Sequence, residues 1–303
     1  LALGSAAMLL ACQHRSEASS SPAKGAPSST LPVGALGSTR LLEWTFEGAI
    51  SSRTAVIVPA WGAEGARFPV LVALHGRGEA RKAPADGALG WARDYGLLHA
   101  IERVSAPPLQ PVDFEGFVDG VHLQLLNRRL DEHPFGGLIV ACPYLPDLDL
   151  ADDDAVTAFG RFLQQTLLPR VRRETPALTS PAATGIDGVS LGGAVALAIG
   201  LDFATAFGAV GTLQPALDPH DARRWASRVQ AARRANPGLA LRLLTSDGDS
   251  FRDAVRATSS ALDGAGLVHD FDQVLGPHDY PFNRGPGAIE MLLWHDRSLR
   301  RPA

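Results

Sequence analysis

The chain is short of the features that would send its function elsewhere. Its two cysteines, Cys12 and Cys142, are too few for a disulfide framework. Lys and Arg number 28 against 32 Asp and Glu, for a net charge of −4. No basic stripe interleaved with aromatics accompanies that balance, so nucleic acid is not an expected partner. No internal repeat stands out. The apolar opening run, Leu1 to Ala11, is shorter than the roughly 20 residues that cross a bilayer. The acidic residues Asp147, Asp149, Asp152, Asp153 and Asp154 lack the turn glycine and closing glutamate of an EF-hand loop. Carboxylates ahead of a helix are instead what the helix dipole favours, and no metal site is expected.

What is present is ordinary globular material, 46% apolar and 20% charged over 303 residues. That is enough chain to bury a sizeable core, as one large α/β domain or two small ones. The amino-terminal part reads separately. Leu1 to Ala11 has the size of a signal-peptide apolar region, and Leu9-Leu10-Ala11-Cys12 resembles a bacterial lipobox, with Cys12 as the lipidated residue. With no methionine or basic region ahead of it, this stretch is expected to be the inner part of such a signal. Residues 13–38, rich in Ser, Ala, Pro and Gly, read as a flexible tether. The expected arrangement is an exported domain, residues 39–303, held to the bacterial cell envelope by a lipid anchor and touching membrane in no other way.

Within 39–303, Leu41–Phe46 and Thr54–Pro59 read as opening strands. The near-continuous apolar runs Phe68–Leu74 and Gly137–Ala141 read as strands covered on both faces, with Cys142 as a small buried hydrophobe. A helix is expected from Ala155 to about Leu168, ended or kinked by Pro169. Strands at Ala182–Ile186, Phe207–Leu213, Leu239–Leu244 and Val268–Leu275 alternate with helices at Gly193–Ile199, Asp221–Ala235, Phe251–Leu262 and Ile289–Leu299. Such alternation implies a mostly parallel sheet with helices on both faces and ligands at the carboxyl ends of its strands. Residues 76–136 are too long for a loop and carry expected helices at Tyr95–Val104 and Val121–Leu130. They read as a cap-like insert beside the active site.

Gly188-Val189-Ser190-Leu191-Gly192 has the Gly-x-Ser-x-Gly pattern of a nucleophile elbow, between an expected strand and an expected helix. A serine hydroxyl needs a base, a carboxylate to orient the base, and donors for the oxyanion. After the last strand, Gly276-Pro277-His278-Asp279-Tyr280 offers His278 as base; His269 and His295 fall in a strand and a helix. After Leu239–Leu244, Asp249 and Asp247 are both candidates for the acid, with Asp249-Ser250-Phe251 leading into a helix. Either could instead cap that helix. The oxyanion donors are expected to be the amides of Leu191 and Arg77, the latter in Leu74-His75-Gly76-Arg77-Gly78, where His75 reads as a turn residue. The charged run Arg77, Glu79, Arg81 and Lys82 reads as a solvated loop, with an acidic group on a substrate, reached by its basic members, as the alternative.

Together, Leu74-His75-Gly76-Arg77-Gly78, Gly188-Val189-Ser190-Leu191-Gly192-Gly193, Asp249-Ser250-Phe251 and Gly276-Pro277-His278-Asp279-Tyr280 resemble the putative-esterase group of α/β-hydrolases. That group includes esterase D-like, feruloyl, acetyl xylan and enterochelin esterase-like enzymes. The resemblance runs over roughly residues 40–300. It implies an α/β-hydrolase fold with an insert after the third strand. It also implies a Ser190–Asp249–His278 triad acting on a small-molecule ester through an acyl-enzyme, without cofactor. The long segment after His75 departs from compact members. A serine peptidase, an acyltransferase or a non-catalytic surface-anchored binding module are the rival expectations.

Overall fold

The computed structural model describes residues 37–300. Cys12, its lipobox and all but the last residues of the tether lie outside the described residues. Eight strands form one sheet in the order β1-β2-β4-β3-β5-β6-β7-β8. They are β1 (Thr39–Thr45), β2 (Arg53–Pro59), β3 (Val70–Leu74), β4 (Ile139–Pro143), β5 (Thr184–Gly188), β6 (Ala209–Leu213), β7 (Ala240–Gly248) and β8 (Asp270–Pro277). β2 pairs antiparallel with β1 and with β4, and every pair from β4 to β8 is parallel. This is the α/β-hydrolase fold, as the alternating strands and helices imply.

The helices are α1 (Arg77–Ala80), α2 (Pro84–Ala88), α3 (Leu97–Ser105), α4 (Gly120–Glu132), α5 (Asp153–Phe162), α6 (Leu168–Glu174), α7 (Leu191–Asp202), α8 (Ala222–Ala235), α9 (Arg252–Gly264), the single turn α10 (Tyr280–Phe282) and α11 (Ala288–Leu299). β3, β4 and β5 are buried at every residue, which explains why they read as unbroken apolar or small runs instead of alternating ones. On one face of the sheet Ile57, Leu71, Ala73, Val140 and Cys142 join Trp91, Ile101, Leu126 and Trp294 in a single core. On the neighbouring side α7, apolar all round, packs on β3, β5 and β6 with α5 and α8 against it. Burying each such large side chain contributes about 1.5–3 kcal/mol.

Residues 76–136 divide their work. Their first turn borders the carboxyl ends of the strands, whereas Trp91, Leu97, Ile101, Val104, Leu126 and Leu130 enter the main core. Most of the segment is therefore the helical layer that carries the chain from β3 to β4.

Pro169 ends no helix. Between α5 and α6 the residues Leu163–Leu167 widen into a π-turn, in which Leu168 N–H reaches Leu163 O. The wider turn takes up the missing donor and the bulk of the ring, and Pro169 sits in the first turn of α6. At the start of α5 the Asp152 side chain accepts from Ala155 N–H at 3.0 Å. Asp147 instead meets Arg77 at 2.8 Å and Arg81 at 3.2 Å.

Candidate active site

Three strand ends converge on Ser190. Val189 N–H donates to Leu74 O at 3.1 Å and Ser190 N–H to Leu213 O at 3.0 Å, so β3 and β6 grip the turn that follows β5. Ser190 has φ 57° and ψ −119°, a strained conformation for a residue with a side chain. The turn is tight enough to exclude larger residues on both sides. A Cβ on Gly188 would lie 2.4 Å from Gly192 O, and one on Gly192 would lie 2.4 Å from His75 O. Leu191 is the first residue of α7 and Arg77 the first of α1, so neither amide has an acceptor within its own helix.

His278 follows β8. Its Nε2 lies 3.0 Å from Ser190 Oγ, and its Nδ1 lies 2.7 Å from Asp249 Oδ1. A carboxylate can only accept, so Nδ1 carries the proton and Nε2 is free to take the serine's. Asp249, its carboxylate fully buried, also accepts from Phe251 N–H at 2.9 Å on Oδ1 and from Thr245 Oγ1 at 2.7 Å on Oδ2. Asp247, the other candidate, does not reach the imidazole; its Oδ1 accepts from Gly276 N–H at 2.8 Å and so braces the histidine loop. The structure thus brings Ser190, His278 and Asp249 together.

His269, His295 and His75 lie apart from this group. His269 contacts Ser259 Oγ at 2.7 Å. His295 is buried on the strand layer beside Asp187 Oδ2 at 2.9 Å, and burial holds its pKa down. His75 is a turn residue. Its Nε2 accepts from Leu145 N–H at 2.9 Å and its Nδ1 donates to Gly76 O at 3.0 Å. Burial lowers its pKa to about 4.

Around Ser190 and His278 lies a cavity of about 200 Å³, also lined by Arg77, Tyr95, Gln214 and Tyr280. Gln214 was not foreseen as a site residue. Fully buried and at φ 43°, it donates through Nε2 to Ser246 Oγ at 2.6 Å and to Pro277 O at 2.9 Å. It thereby ties the serine's turn to the histidine's loop. Its signal in the sequence was a large polar residue directly behind the apolar run Phe207–Leu213.

The charged run after His75 is not a solvated loop throughout. Arg77 and Arg81 do face solvent, paired with Asp147, but Glu79 is 1% exposed and lines the same cavity. The short helix α1 turns it inward, where hydroxyls of Tyr95 and Tyr280 satisfy its charge. Among the described residues no group of three or more His, Cys, Asp or Glu is arranged to hold a metal ion.

A strained serine on a strand–turn–helix corner, with a histidine and a buried carboxylate in line, has the geometry of a nucleophile elbow on an α/β-hydrolase fold. Residues 147–266 match the family model described as "Putative esterase". That stretch takes in Ser190 and Asp249 and stops short of His278. No curated sequence matches the chain. Among solved structures, a ferulic acid esterase superposes with a TM-score of 0.62 at 15% identity, over 86% of this chain and 98% of the other. The S-formylglutathione hydrolase of Staphylococcus aureus gives 0.56 at 12% identity, over 86% and 99%. The ferric enterobactin esterase of Salmonella typhimurium gives 0.56 at 20% identity, over 88% of this chain but 61% of its own. The family match and these neighbours agree with the resemblance read from the motifs. At such identities the neighbours speak for the fold.

Proposed function

We propose that the protein is a serine hydrolase of carboxylic esters. Ser190 Oγ attacks the ester carbonyl while His278 Nε2 takes its proton, and Asp249 holds the imidazole in the productive tautomer. The oxyanion receives the amide N–H groups of Leu191 and Arg77, and His278 then protonates the departing alcohol. Water, deprotonated by His278, releases the acid from the acyl-enzyme. The observation that carries this reading is the unbroken chain Ser190 Oγ–His278–Asp249, at 3.0 and 2.7 Å. The names of the structural neighbours, esterases and a thioester hydrolase, support acyl transfer to water.

The test is turnover of a panel of p-nitrophenyl esters beside aminoacyl p-nitroanilides. Esters are expected to turn over and Ser190→Ala to remove the activity, a loss on the order of 10⁶ in kcat. Cleavage of amides with no ester turned over would show a peptidase instead. A wild-type protein that never labels with a fluorophosphonate would show a binding module.

The proposal extends to an exported protein anchored by lipid at Cys12, supported by Leu9-Leu10-Ala11-Cys12 and the Ser/Pro-rich stretch behind it. Expressed for export in a bacterium, it is expected in the membrane fraction, and Cys12→Ser is expected to release it. Equal partitioning of the two would remove the anchor.

A further inference from the structure

Glu79 is a buried carboxylate in the active-site wall. Its carboxylate is almost wholly withdrawn from water, which costs several kcal/mol unless charge-assisted bonds replace the lost solvent. The chain supplies those bonds from 3, 16 and 201 residues away. Tyr95 donates its hydroxyl to Oε2, Tyr280 donates to Oε1 at 2.6 Å, and Lys82 Nζ stands 3.4 Å from Oε1. It also clears space. A Cβ on Gly90 would lie 2.6 Å from Glu79 Cγ, and one on Gly87 would lie 2.6 Å from Glu79 O. The π-turn Gly90–Asp94 then delivers Tyr95 to the carboxylate.

What this housing holds in place is the loop after β3. With its proton directed to Glu79, the Tyr95 oxygen turns a lone pair to the loop and accepts Gly76 N–H at 3.2 Å. Gly76 is thereby occupied, and the next amide, that of Arg77, is the one left without an acceptor in its helix. Tyr280, two residues beyond His278, fastens the histidine loop to the same carboxylate. One anion thus sets the spacing between the base and the loop that faces it.

We infer that Glu79 is a positioning residue for the hydrolytic reaction. Through Tyr95 it fixes Gly76 as a spent donor and presents Arg77 N–H to the oxyanion, and through Tyr280 it holds the His278 loop against that donor. This rests on the esterase reading above. A bond that matters only when the tetrahedral oxyanion forms should act on kcat and leave KM nearly alone.

The experiment compares Tyr95→Phe, Glu79→Gln and the double variant with wild type and Ser190→Ala, using p-nitrophenyl acetate and the full chain. Tyr95→Phe keeps the ring against Trp91 and removes only the hydroxyl; Glu79→Gln keeps the shape and removes an acceptor oxygen. Each is expected to lower kcat about a hundredfold, the scale of a lost oxyanion donor, with KM little changed. The double variant is expected to fall no further than the worse single, since the two groups act as one unit. A tetrahedral-adduct inhibitor, such as a trifluoromethyl ketone, is expected to weaken by the same factor. A merely structural role would lower the melting temperature while leaving inhibitor affinity and kcat of the folded fraction intact, and that outcome overturns the inference. If Glu79→Gln does not fold, Tyr95→Phe decides. Ser190-dependent wild-type turnover with unaltered variants rejects only the role of Glu79. Absence of Ser190-dependent turnover in wild type rejects the esterase reading and the inference with it.

Discussion

Thr245 donates its hydroxyl to Asp249 Oδ2 at 2.7 Å, on the oxygen turned away from His278. Both residues are buried, so this bond closes the hydrogen-bonding of a carboxylate that water cannot reach. Thr245→Val keeps the shape and leaves Oδ2 unpaired. An unsatisfied buried acceptor costs about 1–3 kcal/mol. If the carboxylate then turns from the imidazole, about a ten- to hundredfold fall in kcat follows. Steady-state kinetics with a p-nitrophenyl ester check this; an unchanged kcat would mean that Phe251 N–H alone orients Asp249.

The two carboxylates after β7 give a sharper contrast. Asp249→Asn preserves volume but presents a donor or a weaker acceptor to His278 Nδ1, which favours the wrong tautomer. A kcat loss of about 10⁴ is expected. Asp247→Asn can still accept Gly276 N–H through its amide oxygen, so a loss of no more than about tenfold is expected from the loosened loop. Equal losses in the two variants would contradict the division of labour seen in the hydrogen bonds.

The difference between these neighbours also shows where sequence reading stops. The elbow was legible because its requirements are local. Gly188 and Gly192 are needed by backbone within a few residues or by the adjacent strand. Strands β3 and β4 were legible because a strand covered on both faces has no polar residue to hide. The choice between Asp247 and Asp249 depended on β7 extending to Gly248, beyond the apolar run that marks it, through pairing with β8. Pro169 looked like a stop because a π-turn leaves no mark in residue type. Glu79 looked solvated because its hydroxyl partners lie 16 and 201 residues along the chain. A carboxylate next to three basic residues is a surface pattern until tertiary structure brings hydroxyls to it.

Behind the elbow, β5 carries a second charge-bearing group that the hydrolytic relay does not use. Asp187 and Arg242 are both fully buried, 3.3 Å apart, and Arg242 also donates to Glu290 O at 2.9 Å and lies over the Trp294 ring. Asp187 further holds His295 Nε2. Asp187→Ala strips the guanidinium of its counter-charge and takes the acceptor from three buried donors, Arg242 Nη2, His295 Nε2 and Gly188 N–H. A stability loss of about 3–5 kcal/mol is expected, measured by urea unfolding. Loss below 1 kcal/mol would mean that water enters and solvates Arg242.

His75 gives the fold an acid limit that can be separated from the catalytic histidine. Its neutral form donates to Gly76 O and accepts Leu145 N–H, and burial lowers its folded pKa from 6.5 to about 4. The unfolded chain therefore takes up this proton first as pH falls. The contribution to stability is full above pH 6.5, declines between 6.5 and about 4, and is gone below the folded value. His75→Gln cannot titrate and still has an acceptor oxygen and a donor nitrogen. It is expected to be less stable than wild type at neutral pH, with the gap narrowing steadily as pH drops from 6.5 toward 4. Urea midpoints across that range test the point: a gap that stays constant would place the acid sensitivity in other groups. Because Gly76 precedes the proposed oxyanion donor, loosening of this turn should also lower ester turnover at neutral pH, while His278 remains free to act as base.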